Sequence, residues 1–276
     1  PAFGTILRLI KKNKHTKVVC IADNVVPHEH RPGDKSFTKY FLNACDAFIT
    51  MSEKVQADLR SFEPNKPVRL VPHPLYDNFG EALPKEEARN ILQLPLHEKL
   101  ILFFGFIRHY KGLDMLLQAM ADERIRKAGI KLLVAGEFYE DEQPYRESIQ
   151  QNGLQESVIL RTNFIPDSDV RLYLSAADCV VQPYRNATQS GVTPLAYHFE
   201  KPMIVTNVGG LPAMVSHQKV GLVAEPDPSS IAEAVLQFYQ VGEDYFIPHL
   251  RNEKKKYAWA NLTKAILEMA GVEGAK

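Results

Sequence analysis

Two apolar runs, KLILFFG (99–105) and IKLLVAG (130–136), each end on a glycine. Between them lies LDMLLQAMADER (113–124), whose apolar residues recur at helical spacing. A strand, a helix and a second strand that is apolar throughout cannot form an antiparallel sheet with one wet face. Continuous apolar strands joined by helical crossovers require a parallel sheet covered on both sides. The pattern then repeats, with strands predicted at SVILRTNF (157–164), DCVVQPY (178–184), PMIVTNV (202–208) and VGLVAEP (220–226). Helices are predicted between them at EQPYRESIQQNG (142–153) and DSDVRLYLSAA (167–177), and PSSIAEAVLQFYQ (228–240) closes the set. A complete Rossmann-like domain is therefore expected over 78–250.

The first part of the chain alternates more briefly. Helices are predicted at 3–13, 34–43 and 53–62, and strands at 17–27, 46–52 and 68–76. That is too few strands for a full doubly wound domain, so 1–77 reads as a partial lobe. The remaining segment, 251–276, begins with the basic RNEKKKYAW and continues as an amphipathic helix. The chain opens on Pro1-Ala2-Phe3 and enters helical periodicity at once, and it is expected to be a piece of a longer protein.

At 276 residues the chain exceeds one typical core and suits two lobes. Its 33 basic and 33 acidic residues cancel, so no global field draws it to nucleic acid. Cys20, Cys45 and Cys179 stand in separate apolar runs without CxxC spacing, which reads as free thiols in a reducing compartment. No apolar stretch reaches the roughly 18 residues that span a bilayer.

Ligands of a doubly wound sheet gather at the carboxyl ends of its strands. After KLILFFG, the segment FIRHYKG sets Phe106, Arg108 and Lys111 between Gly105 and Gly112. An arginine fork and a compact ammonium suit a diphosphate, and two solvated loop cations are the alternative. After IKLLVAG, Gly136 allows close backbone approach and Glu137 is the first side chain at the pocket rim; Glu140, Asp141 and Glu142 read as a solvated acidic loop. After DCVVQPY comes TQSGVTPLAY (188–197), small and polar where a helix begins. Thr188 or Ser190 can cap, Gly191 carries no side chain to block approach, and Pro194 needs no N–H in a first turn. The alternatives are a plain cap and an anion site at the helix N-terminus. In the first lobe Asp23 ends a strand, and the following HEH (28–30) is either a polar loop or a weak metal pair.

The order of these motifs resembles the C-terminal half of family-four glycosyltransferases. The resemblance is carried by LILFFGFIRHYKGLDMLLQAM, KLLVAGE, VILRTNFIPDSDVRLYLSAADCVVQPY and KPMIVTNVGGLPAMV…VGLVAEPDPSSIAEAV, and extends over about 15–265. It implies an α/β GT-B fold, two Rossmann-like lobes facing a cleft, the N-terminal one incomplete here. It implies an acceptor-binding role for 1–77, nucleotide-sugar binding for 78–250 and a helix crossing back at 251–276. The implied reaction moves a sugar from a nucleotide-diphosphate sugar, UDP- or GDP-linked, to a hydroxyl of a saccharide or lipid-linked acceptor, with retention. No cofactor or metal is implied. The expected location is the cytoplasm, with room for a peripheral contact at the inner membrane face. Arg108 and Lys111 match the basic pair on the donor diphosphate, and Gly105 and Phe106 the loop before it. Glu137 lies near the nucleoside position, while Thr188, Gln189, Ser190, Gly191 and Val192 match the glycine-bearing loop at the phosphates. Asp23 is the candidate for assisting the acceptor. One departure stands out. Two glutamates usual in the family fall, registered on Pro202, at Ala187 and Leu195; registered on Gly191, they fall at Thr188 and Ala196. This keeps open a rival reading, a non-catalytic nucleotide-sugar binder of the same fold. An epimerase of similar fold lacks a placeable acid–base pair.

Overall fold

The computed structural model describes residues 2–26, 33–187 and 190–272. They fall into two compact units, Pro1–Pro74 with Lys256–Lys276, and Leu75–Lys255. The smaller unit holds a parallel sheet of β1 (Val19–Ala22), β2 (Ala47–Thr50) and β3 (Val68–Leu70), in that order. Only the central β2 is buried along its whole length. The expected strand at 17–27 is shorter because β1 sits at the sheet edge, with one side unpaired among the described residues. The one at 68–76 stops early because Pro72 and Pro74 cannot donate to a ladder.

Helices α1 (Ala2–Ile10), α2 (Asp34–Leu42) and α3 (Glu53–Phe62) belong to the same unit. Ser52 caps α3, its Oγ accepting from the Val55 amide at 3.3 Å. Phe48, Val55 and Leu59 form a core on one side of the sheet, with Cys45 and Cys20 in the same apolar cluster as free thiols. On the other, Ile49 and Val71 pack against Leu262 and Ala265 of the chain's last helix, Trp259–Ala270.

The larger unit contains six parallel strands: β4 (Lys99–Phe104), β5 (Ile130–Ala135), β6 (Val158–Arg161), β7 (Cys179–Gln182), β8 (Met203–Thr206) and β9 (Gly221–Ala224). Their spatial order is β6-β5-β4-β7-β8-β9, so the winding reverses between β4 and β7. The crossovers are α4 (Lys85–Ile91) before β4, α5 (Leu113–Met120) and α6 (Glu123–Lys127), α7 (Gln143–Gln151), α8 (Asp167–Ala176), α9 (Val192–His198), α10 (Leu211–Met214), α11 (Pro228–Val241) and α12 (Glu243–Glu253); the last helix, Trp259–Ala270, is α13. The single helix expected at 113–124 is two, because Asp122 folds back to accept from the Arg124 amide at 2.8 Å and starts a new helix. Helix α12, around Pro248, has no counterpart in the sequence reading; Phe246 and Leu250 bury it. Among the described residues no helix is long and apolar enough to cross a membrane.

A buried ionic cluster ties the unit together beside β4 and β7. The Asp178 carboxylate accepts from Lys85 Nζ at 2.7 Å, Arg89 Nη2 at 3.1 Å, the Leu100 amide at 2.7 Å and the Tyr239 hydroxyl at 2.9 Å. Glu243 joins it, bonded to Lys85 and to Lys201 at 3.1 Å.

Candidate functional site

A cavity of about 370 Å³ opens at the carboxyl ends of β4, β5 and β7, where the winding reverses. Its walls include Gly105 and Lys111 after β4, Glu137 after β5, Asp167 at the start of α8, and Ser190 and Gly191 before α9. Crevices of this kind form at such a reversal because the two neighbouring crossovers leave to opposite faces of the sheet.

Backbone geometry sets the walls close together. Gly136 has φ +142°, and a Cβ there would lie 2.4 Å from the Gly105 carbonyl oxygen, so the exits of β4 and β5 meet backbone to backbone. Gly112, at φ +70°, faces the Pro183 carbonyl where a Cβ would be only 1.9 Å away. The 3₁₀ turn His109–Lys111 is thereby pressed onto the exit of β7. Glu140 fastens its other side: one carboxylate oxygen accepts from the His109 amide at 2.8 Å, and the other is bonded to the Tyr145 hydroxyl. The acidic loop read as solvated thus holds this turn.

Lys111 is 9 % exposed and lines the cavity. Among the described residues no carboxylate pairs with its ammonium; its near neighbour is the face of Tyr184, 5.8 Å from Nζ to ring centroid. Burial, with Arg108 nearby adding a like charge, lowers its pKa from 10.5 to about 8. Arg108 itself is exposed. It starts the 3₁₀ turn in extended conformation, and its guanidinium sits 5.0 Å over the Tyr139 ring. Of the expected basic pair, Lys111 alone lines the cavity.

Ser190, Gly191 and Val192 lie on the cavity wall, and Thr188 and Gln189 fall outside the described residues. Ser190 Oγ accepts from the Val192 amide at 3.2 Å. Among the described residues a Cβ on Gly191 would meet only the Tyr76 side chain, at 3.9 Å, so the peptide there is open to them. Gly105, Phe106 and Glu137 also line the cavity. Asp23 is exposed just past β1, in the smaller unit, and the HEH loop at 28–30 lies outside the described residues. Among the described residues no group of three or more metal-ligating side chains stands together. Ala187 and Leu195 are both buried, and Leu195 puts an apolar wall where a carboxylate was considered.

Sequence reasoning passed over Phe79, Phe164, Asp167 and Tyr184, all of which line the cavity. Phe79 comes from an irregular segment without periodicity, and Phe164 lies past Arg161, where the run read as strand through 164 has already ended. Tyr184 hid at the end of a run read as strand. Among the described residues the cavity offers a buried cation without a carboxylate partner, an open turn, two carboxylates and aromatic walls, which suits an anion joined to a hydroxyl-bearing ring system.

The sequence profile of the family described as glycosyl transferases group 1 matches residues 98–240. A D-inositol 3-phosphate glycosyltransferase from Corynebacterium urealyticum is 30% identical over 199 residues, covering 69% of this chain and 47% of that protein. The Bacillus subtilis protein TuaC, described as a putative teichuronic acid biosynthesis glycosyltransferase, is 26% identical over 216 residues, 78% of this chain and 52% of its own. The chain thus spans about half the length of these curated relatives. In three dimensions it resembles Anabaena HepE, solved in complex with UDP, at a TM-score of 0.78 and 15% identity over 98% of this chain and 76% of that one. Sucrose-phosphate synthase from Thermosynechococcus elongatus aligns at 0.72 and 20% identity, over 96% and 70%. The fold is GT-B.

Proposed function

This chain belongs to the group 1 glycosyl transferases, and from that premise we propose that its cavity holds the diphosphate of a nucleotide-sugar donor for transfer to an acceptor hydroxyl. The observation that carries the reading is Lys111, a buried ammonium without a counter-ion among the described residues, at the winding reversal of a doubly wound sheet. A buried cation is costly unless an anion joins it, and a diphosphate supplies that anion. The complex of the similarly folded HepE with UDP supports the same chemistry.

Glycosyl transfer of this kind breaks the bond between the sugar's anomeric carbon and the diphosphate oxygen. The electron pair leaves with the nucleoside diphosphate, and Lys111, with Arg108 at the rim, stabilises that growing charge. Donors preorganised for a leaving group are commonly worth about 3 kcal/mol each. The acceptor oxygen then bonds to the anomeric carbon and gives up its proton to the departing diphosphate oxygen. Attack from the face the leaving group departs gives retention, Asp23 is the group assigned to the acceptor side, and no cofactor is invoked. UDP or GDP is the nucleotide and a saccharide or lipid-linked hydroxyl the acceptor, in the cytoplasm or against its membrane face.

A second reading, a binder that holds the donor without transferring it, draws on the buried apolar Ala187 and Leu195. Both readings expect UDP or GDP to raise the melting temperature, and Lys111→Ala to erase that rise. No response to any nucleoside diphosphate would refute both. Chromatography of UDP- and GDP-sugars incubated with the protein and candidate acceptors separates them: the enzyme releases nucleoside diphosphate and the binder does not.

A further inference from the structure

The cavity's second polar anchor is Ser190, and what directs it is a residue six positions earlier in the same loop between β7 and α9. Tyr184 leaves β7 behind Pro183 and is 3 % exposed. Its hydroxyl stands 3.2 Å from Ser190 Oγ, the one hydrogen-bond partner it has among the described residues. Burial pushes the phenol's pKa up, so it keeps its proton. A buried phenolic O–H needs an acceptor, and the acceptor in reach is Ser190 Oγ. That oxygen already accepts from the Val192 amide at 3.2 Å. With two lone pairs and two donors, the serine oxygen is saturated as an acceptor. Its own proton has to point elsewhere, and Ser190 lines the cavity.

We propose that Ser190 donates a hydrogen bond from its hydroxyl to the bound diphosphate, and that Tyr184 is the positioning residue that turns the serine proton into the cavity. The proposal rests on the donor reading above and adds to it a side-chain donor and the device that aims it.

The same tyrosine is held independently of this task. Its carbonyl accepts from Thr206 Oγ1 at 2.5 Å, and the Arg185 amide donates to the Tyr110 carbonyl at 2.7 Å. Arg185 also grips Asp114 with two bonds of 2.6 Å. These contacts use no atom of the Tyr184 hydroxyl, so Tyr184→Phe leaves the loop's anchors in place. Its ring, beneath Lys111, also remains.

The experiment titrates UDP and GDP by calorimetry, and the corresponding nucleosides by ligand-observed NMR, into the parent protein and four variants. Ser190→Ala loses one hydrogen bond to a charged group, an expected loss of about tenfold or more in diphosphate affinity. Nucleoside affinity stays within about twofold. Tyr184→Phe frees the serine proton to turn back, and loses a few-fold for the diphosphate. The double variant matches Ser190→Ala alone, because the tyrosine acts only through the serine. Ser190→Thr keeps the hydroxyl and keeps binding, which covers the case of a poorly folded Tyr184→Phe. Equal losses for nucleoside and diphosphate, or losses that add in the double variant, overturn the proposal. A parent protein that binds neither diphosphate overturns the donor reading and this inference with it. Tight parent binding with an unaffected Ser190→Ala overturns the inference alone.

Discussion

Replacing Lys111 by methionine removes a buried charge from the larger unit. The ammonium is 9 % exposed, and burial is the leading cause of its fall from 10.5 to about 8. Each pKa unit corresponds to about 1.4 kcal/mol between the two protonation states. The fall from 10.5 to about 8 therefore measures about 3 kcal/mol by which the folded, ligand-free protein disfavours the charged form at neutral pH. Methionine keeps the length of the side chain, fills the same space and carries no charge. Lys111→Met is thus expected to stabilise the ligand-free protein by about 3 kcal/mol, a rise of about 5 °C or more in melting temperature for a unit of this size. At the same time it loses the response to UDP and GDP. Differential scanning calorimetry with and without each nucleotide reads both effects. A Lys111→Met protein that melts below the parent, or that still gains stability from a diphosphate, would refute the reasoning, because the first denies that the cation is uncompensated and the second that it meets the anion.

The same group sets two opposite pH trends. Its pKa is lower in the folded than in the unfolded chain, so the ligand-free protein gains stability as pH rises from about 8 towards 10.5; diphosphate binding instead weakens as pH rises through about 8, where the cation is lost. Arg108→Ala removes the like charge that helps depress Lys111 and moves the binding midpoint to higher pH, which calorimetry between pH 7 and 10 checks. Asp178→Ala takes the carboxylate from Arg89, whose side chain is 3 % exposed, and leaves Lys85 to Glu243 alone. Leaving the arginine without a counter-ion is expected to cost about 3 kcal/mol in urea unfolding, while a folded variant binds diphosphate as before.

The parallel sheet was legible because KLILFFG and IKLLVAG are apolar on both faces and stop at glycines, the second of which, Gly136, the close approach to the Gly105 carbonyl requires. Lys111 was legible as a loop cation near a strand end. Its separation from Arg108 was not: three residues of sequence say nothing of a 3₁₀ turn that sends one side chain to Tyr139 and the other to Tyr184. Glu140 looked like one more acid in a polar stretch, because its partner, the His109 amide, lies 31 residues away. Helix α12 was passed over because Pro248 and a run of charges mask the burial of Phe246 and Leu250. Tyr184 and Phe79 show the general difficulty. A residue that lines a cavity from an irregular segment carries no local period.

The reversal between β4 and β7 also bears on how the site comes into being. Strands β4, β5 and β6 are neighbours in sequence as well as in space, and so are β7, β8 and β9. Each set can close through short crossovers at modest loop entropy. The joint between them is different: it pairs Ile101 with Cys179 and Leu102 with Val180, residues 78 apart in the sequence. Long-range closures of that kind come late and slowly in folding. Lys111 belongs to the first set and Ser190 to the second, so neither half alone contains the anion site. The seam between β4 and β7 is the one that creates it.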